Sequence, residues 1–90
     1  MFTFQIEDRL KKKLEKLSKK DKILVKNFKK KIIEIISQNE KTIDTYKNLK
    51  SPLNNFKRIH LTTNYILLFK VYKEKNLILF VDIKHRDIAH

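Results

Sequence analysis

Residues 64–85, NYILLFKVYKEKNLILFVDIKH, contain the two segments that decide the fold. Residues 65–72 are almost wholly apolar, and so are residues 77–83, with a single carboxylate among them. The polar stretch KEKN at 73–76 separates the two segments and is typical of a turn. Apolar runs of this length and composition predict two antiparallel neighbouring strands, of which the first is covered on both faces.

Two shorter stretches extend this sheet. Residues 56–61 (FKRIHL) alternate between two faces, which puts Arg58 and His60 side by side on one of them. The polar residues 62–64 (TTN) then turn the chain into the long strand. At the start of the chain, residues 2–6 (FTFQI) alternate in the same way and predict a short first strand.

Two amphipathic helices are predicted between the first strand and the others. The first helix carries leucines at spacings of four and three and ends near residues 18–20. Asp21 is suited to cap the start of the second helix. The apolar stripe of the second helix consists of Val25, Phe28, Ile32, Ile35 and Ile36. So short a turn predicts an antiparallel helical hairpin whose two stripes share one core.

The whole pattern predicts an α+β fold in a single domain, residues 1–90. An N-terminal strand is followed by an antiparallel helical hairpin packed on one face of a small antiparallel β-sheet. One hairpin covers one face, so part of the other face is expected to remain as an apolar partner surface. The alternative is that residues 40–55 fold back over it.

The composition is strongly basic: 22 lysine and arginine side chains against ten aspartates and glutamates give a net charge of +12. This excess favours a polyanion or an acidic protein as partner, although a biased genome or a hot habitat produces similar sequences. The chain has no cysteine, which points to the cytoplasm and excludes thiolate metal sites. No apolar run approaches the roughly 18 residues that span a bilayer, so no membrane association is expected.

The candidate functional residues gather at one end of the predicted sheet. The second and fourth strands flank the third and run the same way, so His60 and His85 are expected to lie at the same end, with Arg58 and Arg86 nearby. Two imidazoles can deprotonate the 2′-hydroxyl of RNA and protonate the leaving 5′-oxygen. Guanidinium groups can stabilise the phosphate in the transition state.

Each of these residues also has an ordinary structural interpretation. His60 can simply end a strand, and Arg86 with Asp87 can form an exposed ion pair worth less than ~1 kcal/mol. A zinc site formed by His60, His85 and His90 is disfavoured because no pair has helical or knuckle spacing. No metal and no cofactor are therefore expected.

The segments LKSPL (49–53), FKRIHL (56–61), NYILLFKV (64–71) and VDIKHRD (81–87), after a lysine-rich helical hairpin, resemble the RelE/ParE superfamily of toxins from type II toxin–antitoxin modules. The resemblance covers essentially the full chain and implies the RelE-like fold. RelE- and YafQ-like members are ribosome-dependent, metal-independent mRNA endonucleases that inhibit translation. The implied partners are an antitoxin, in a heterodimer or heterotetramer, and the ribosome with its mRNA.

The resemblance also implies roles for individual residues. Arg58 and His60 match positions that approach the scissile phosphate, His85 matches the C-terminal histidine of YafQ-like members, and Arg86 matches a C-terminal arginine of RelE-like members. His60 and His85 are the implied acid and base, in either order. The residues implied to bind RNA are Lys57, Asn64, Tyr65, Lys84 and His90.

Three positions depart from the family pattern. Ile66 stands where many RelE members have an arginine, Asn64 replaces a carboxylate of YafQ-like members, and His90 replaces a terminal tyrosine. Two alternatives therefore stay open. One is a ParE-like inhibitor of DNA gyrase without nuclease activity, and the other is a decayed toxin that acts only as a basic RNA-binding module.

Overall fold

The structure, a computed structural model, describes residues 1–52 and 55–87. Along the chain, one strand is followed by two helices and then by three strands. These elements are β1 (Thr3–Ile6), α1 (Asp8–Lys20), α2 (Lys22–Ile36), β2 (Lys57–His60), β3 (Tyr65–Tyr72) and β4 (Leu77–His85). Short 3-10 turns lie at Thr42–Thr45 and Lys73–Lys75. The predicted α+β class, with a strand, a helical hairpin and a sheet in that order, is confirmed.

The four strands form one sheet in the order β1-β4-β3-β2. Strands β2, β3 and β4 form the predicted antiparallel meander. Strand β1 adds to β4 in parallel, with Thr3 opposite Leu77 and Ile6 opposite Phe80, so the sheet is mixed at this edge. The helical hairpin is the crossover between the first strand and the meander, which is why β1 can run parallel to β4.

Asn76 fixes the position of β1 beside β4. It ends the turn between β3 and β4 in the left-handed conformation (φ 51°), which asparagine tolerates better than most residues. Its carbonyl accepts hydrogen bonds from the Thr3 N–H (2.9 Å) and hydroxyl (2.8 Å), and its side-chain amide donates to the Met1 carbonyl (3.0 Å). The turn therefore holds the first residues of the chain directly.

The two helices are separated by Asp21 alone, whose carboxylate accepts the Leu24 N–H at 3.0 Å. The predicted N-cap is confirmed. The apolar stripe of α2 begins one residue earlier than predicted. Leu24 is fully buried, whereas the predicted Val25 is only half-buried. The buried residues of this helix are Leu24, Phe28, Ile32 and Ile35.

The main core lies between the hairpin and one face of the sheet. Phe69 and Phe80 are fully buried at its centre, with ring centroids 6.0 Å apart. Leu10 from α1 and Leu24 from α2 pack in the same cluster, as do Leu67, Ile78 and Ile83 from the strands. Within the described residues, no helix is both long and apolar enough to cross a membrane.

The other face of the sheet is not left apolar, which corrects one expectation. Residues 47–49 run beside β2, where the Leu49 N–H donates to the Phe56 carbonyl (2.9 Å) and the Arg58 N–H to the Lys47 carbonyl (2.9 Å). Leu49 thereby covers Ile66 and Leu68, which are only 2% and 5% exposed. For this part of the face, the alternative prediction, in which residues 40–55 fold back over the sheet, is the correct one.

Candidate functional site

The sequence-predicted catalytic residues lie where β2 and β4 end and β3 begins. His60 pairs with Ile66, and His85 pairs with Tyr65. The Arg86 N–H donates to the Asn64 carbonyl at 2.9 Å, which joins the chain after β4 to the turn before β3. Both histidines are therefore at the same end of the sheet, as the strand order predicts.

The two imidazoles nevertheless lie on opposite faces. Residues in register on neighbouring strands share a face, so His60, Ile66 and Lys84 form one row, and Tyr65 and His85 form the next. The first row is on the face away from the helices, called the open face below. The second is on the helix side. Because β2 and β4 are about 10 Å apart across β3, the sheet does not place the imidazoles side by side.

A β-bulge in β4 decides which face His85 occupies. Phe80 pairs with Phe69 and Asp82 pairs with Leu68, so Val81 has no partner opposite it. One extra residue reverses the alternation beyond this point. Without the bulge, Lys84 would pair with Tyr65, and His85 would lie on the face of His60. Alternation counted from the sequence alone does not reveal this insertion.

His85 has the most structured surroundings of the candidate residues. Its ring meets that of Tyr65 edge to face, with centroids 5.6 Å apart and planes at 74°. Its Nδ1 lies 3.4 Å from the Asp87 carboxylate and also 3.4 Å from the Asp87 N–H, which donates to it. Both contacts use Nδ1, so Nε2 is the nitrogen that can reach a substrate.

Asp87 is a residue whose role the sequence interpretation understated. The sequence predicts it only as a partner of Arg86, and that ion pair is present at 3.8 Å between Arg86 Nε and Asp87 Oδ1. The same carboxylate also contacts His85 through its other oxygen. A carboxylate two residues after a histidine that ends a strand is the signal that could have indicated this.

Cationic side chains from three strands lie on the open face, over a buried apolar layer. Arg58 is in register with Leu68, one row from His60 and Lys84. Lys70, which the sequence interpretation did not single out, lies with its ammonium 4.6 Å from the centre of the Phe56 ring. Guanidinium and ammonium groups arranged in this way suit phosphate oxygens.

Lys57 is not part of this cluster. It pairs with Phe69 at the far end of β2, and its ammonium donates to the Tyr46 carbonyl (3.1 Å) and to Asn48 Oδ1 (2.8 Å). Burial lowers the pKa of Lys57, and the carboxylate of Asp44 at 3.9 Å opposes that shift. Its hydrogen bonds hold it inside the protein and away from the histidines.

Asn64 and His90 are the remaining residues that are predicted to bind RNA. Asn64 is exposed in the turn before β3, where its N–H donates to the Thr62 hydroxyl at 3.2 Å. His90 lies outside the described residues. Across residues 1–52 and 55–87, no three His, Asp or Glu side chains are grouped so that they could hold a metal ion.

The candidate site is an exposed surface rather than a deep pocket. Arg58 borders a groove of about 240 Å³ with Asn48, Leu49 and Lys50. A larger groove of about 520 Å³ lies near the far end of the sheet, beside Lys57 and Lys73. An exposed surface is suited to a long polymer, which does not need to be enclosed.

Comparison with known proteins identifies the class of this fold and then its family. A toxin from Helicobacter pylori, crystallised with bound metal, superimposes with a TM-score of 0.75 at 23% identity over 100% of both chains. YafQ of Escherichia coli gives 0.72 at 17% identity, over 98% of this chain and 97% of that one. The toxin in the E. coli RelBE toxin–antitoxin complex gives 0.71 at 20% identity, covering 92% and 94%. The fold is therefore that of the RelE-like toxins.

Sequence similarity establishes the family. The protein named "Putative toxin RelE4" from Methanocaldococcus jannaschii is 42% identical over 87 residues, which are 97% of this chain and 88% of that protein. No protein-family model matches the chain. At this identity and coverage, the chain belongs to the RelE family of toxins of toxin–antitoxin systems.

Proposed function

We propose that this chain is a ribosome-dependent, metal-independent mRNA endonuclease that inhibits translation in the cytoplasm. The observation that carries the proposal is His85, whose Nδ1 is held by Asp87 and whose ring is held by Tyr65 at the end of the sheet. The cationic open face begins one row away, at His60 and Lys84. Family membership supports the same activity.

The reaction needs one base and one acid. The base removes the proton of the 2′-hydroxyl, whose oxygen attacks the adjacent phosphorus. The bond from phosphorus to the 5′-oxygen breaks, and the acid protonates that oxygen. The products are a 2′,3′-cyclic phosphate and a free 5′-hydroxyl. We assign the two proton transfers to His60 and His85, in either order.

Because the two histidines lie on opposite faces, we assign the scissile phosphate to the rim of the sheet between them. Each histidine ends its strand. A phosphate at the rim of the sheet, at the start of β3, would therefore have His60 on one face and His85 on the other. Arg58 and Arg86 then bind the non-bridging oxygens, where negative charge increases in the transition state. Asp87, whose carboxylate lies 3.4 Å from Nδ1, is assigned to orient the His85 ring.

The residues assigned to RNA binding surround this rim. Tyr65 offers a half-buried aromatic ring for an unpaired base. Asn64 precedes it in the turn before β3, and Lys84 lies on the neighbouring strand β4, opposite Ile66. His90 is assigned here from the family resemblance alone. Lys57 is removed from the set, because its hydrogen bonds hold it at the far end of β2.

We also propose an antitoxin as partner and place it at the free edge of β1. Strand β1 is a terminal strand of the sheet, whereas the edge of β2 is bridged through Lys57 to Asn48. Phe4, 44% exposed on β1, adds an apolar contact. An added strand can use the unpaired backbone groups of such an edge. The expected assembly is a heterodimer or a heterotetramer.

Ribosomes programmed with a defined mRNA test the activity. The purified chain is expected to cut within the codon in the A site and to leave the two product ends given above. His60→Ala and His85→Ala are expected to cut more slowly. If both variants cut as the wild type does, the catalytic assignment is wrong. Intact mRNA together with stalled DNA gyrase would favour ParE-like activity, and harmless expression without antitoxin would favour a decayed toxin.

A further inference from the structure

A second cationic groove lies between α1 and β4, outside the residues assigned to catalysis. It has a volume of about 520 Å³. One face of α1 supplies four cationic side chains, at spacings of three, one and three residues, and β4 supplies one carboxylate. The lining residues are Arg9, Lys12, Lys13, Lys16 and Asp82.

The charges in this groove are only partly neutralised. Asp82 is 6% exposed and is contacted by Lys13 Nζ at 2.9 Å and by Arg9 Nη2 at 3.5 Å. Lys12 and Lys16 are exposed and have no ion-pair partner among residues 1–52 and 55–87. Four cations around one carboxylate therefore leave an excess of positive charge that favours an anion.

The groove reaches the sheet at Asp82 of β4, the strand that also carries Lys84 of the open face. Asp82 is in register with Leu68, which is in register with Arg58, and its carboxylate contacts Lys13 and Arg9 of α1. Lys84 is two residues further along the same strand, about 7 Å away. The cationic groups of α1 and those of the open face, Arg58 and Lys84, are thus connected through β4, with Leu68 and Asp82 between Arg58 and the helix.

We propose that the α1 groove binds the phosphodiester backbone of a single-stranded RNA that crosses the open face. The inference rests on the proposed function, which places an RNA strand at the neighbouring rim. Among residues 1–52 and 55–87, no aromatic side chain lines the groove, so we assign it to contacts with phosphates and not with bases. Arg9 to Lys16 spans about 10 Å of helix, which suits a few successive phosphates of one strand.

Salt-dependent binding tests the groove separately from catalysis. The probe is a fluorescent single-stranded oligonucleotide with 2′-O-methyl groups, which cannot be cleaved because the attacking hydroxyl is blocked. The double variant Lys12→Ala/Lys16→Ala removes the two unpaired groove cations. The matched control Lys26→Ala/Lys30→Ala removes two lysines at the same spacing from the exposed side of α2. Circular dichroism verifies that both variants fold.

The expected result is a change in the salt slope for one variant only. Each lost phosphate contact reduces the slope of log affinity against log salt by about 0.7 for single strands. The groove variant should therefore lose about 1.4 from its slope, and the control should lose less than half of that. Equal losses in both variants, or none in the groove variant, would overturn the proposal. So would a loss that appears only with a duplex hairpin of equal length, which would assign the groove to folded RNA.

The two proposals can fail separately. If the wild type leaves ribosome-bound mRNA intact but the groove variant still loses slope, the nuclease assignment fails and the groove remains. If the wild type cuts mRNA and both double variants bind the uncleavable strand as it does, the groove fails and the nuclease assignment remains.

Discussion

Tyr65 and His85 pair directly across β3 and β4, and their rings meet at 74° with centroids 5.6 Å apart. The bulge at Val81 makes this pairing possible, because it moves His85 to the face of Tyr65. Asp87 then contacts Nδ1 of the same imidazole. The aromatic ring fixes the plane of His85 and the carboxylate fixes one nitrogen, so Nε2 has a defined direction.

Tyr65 is therefore expected to position His85 as well as to contact RNA. Tyr65→Phe keeps the ring contact and should cleave mRNA nearly as the wild type does. Tyr65→Leu removes an edge-to-face contact worth about 0.5–1.5 kcal/mol, which corresponds to a roughly 2- to 10-fold slower reaction. Cleavage of programmed ribosomes at varied toxin concentration measures both variants.

The kinetic constants separate positioning of His85 from stacking on RNA. If Tyr65 positions the imidazole, the Leu variant loses kcat while KM hardly changes. A higher KM with an unchanged kcat would show that the ring stacks on a base instead. The orientation of His85 can be followed independently through its imidazole signals in NMR spectra, which should broaden or shift in Tyr65→Leu and not in Tyr65→Phe.

His60 and His85 should show non-additive effects if they act in one proton-transfer sequence. Each alanine variant is expected to lose about 10²- to 10⁴-fold in cleavage rate, and the double variant should lose little more than the worse single one. Single-turnover rates on programmed ribosomes measure the cycle. Losses that multiply would mean that the two faces make independent contributions, with one histidine binding RNA.

The sequence predicted the elements of the fold well and the faces of the site less well. Strand ends and the cap at Asp21 follow from local patterns, so His60 and His85 were correctly placed at one end of the sheet. The bulge at Val81 depends on the pairing of β4 with β3, which no local pattern reports. The cover of Leu49 over Ile66 depends likewise on a long-range contact.

Asp82 and Lys13 offer a test of how α1 is attached to the sheet. Lys13→Met removes the 2.9 Å bond to a buried carboxylate, and leaves that carboxylate with Arg9 and the Ile83 N–H. We expect a loss of about 1–2 kcal/mol in unfolding free energy, less than for a fully buried pair because Lys13 is 41% exposed. Urea unfolding measures it.

The control for this variant is Lys16→Met, which removes an exposed lysine of the same groove without breaking a bond to Asp82. It should change the unfolding free energy by less than about 0.5 kcal/mol. Adding Asp82→Asn to Lys13→Met should recover part of the loss, since it removes a buried charge that has lost its nearer cation. If Lys13→Met and Lys16→Met are equally stable, the pair does not attach the helix.

Tyr46 and Glu34 give the stability a pH dependence. The Tyr46 hydroxyl donates to the Glu34 carboxylate at 2.7 Å, and this bond is the main reason that the pKa of Glu34 lies below its usual value of 4.5. A lowered pKa means that the bond stabilises the folded state above about pH 4.5, and that this stability is lost as the pH falls through the folded pKa.

Tyr46→Phe should therefore be less stable than the wild type at pH 7, by about 1 kcal/mol or less because Glu34 is half-exposed. The difference should shrink below pH 4.5. Urea unfolding at pH 7 and at pH 3 measures it, and Glu34→Gln provides a background in which the pH dependence of the difference should vanish. An equal difference at both pH values would mean that the phenol acts through packing alone.

The exposed edge of β1 makes a prediction about the antitoxin. Phe4→Lys places a charge on a free strand edge, which opposes the addition of another strand, and removes an aromatic group of the kind that dominates interfaces. Its contact with Phe80, at 6.0 Å between centroids, lies at the margin of the core, so the variant should still fold. The variant should then bind the cognate antitoxin at least ~30-fold more weakly, since loss of a dominant side chain costs about 2 kcal/mol or more.

The matched control is Ile33→Lys, an equally drastic change at an apolar residue that is 64% exposed on α2. Isothermal titration calorimetry compares the two, and equal weakening by both variants would remove the antitoxin from the edge of β1.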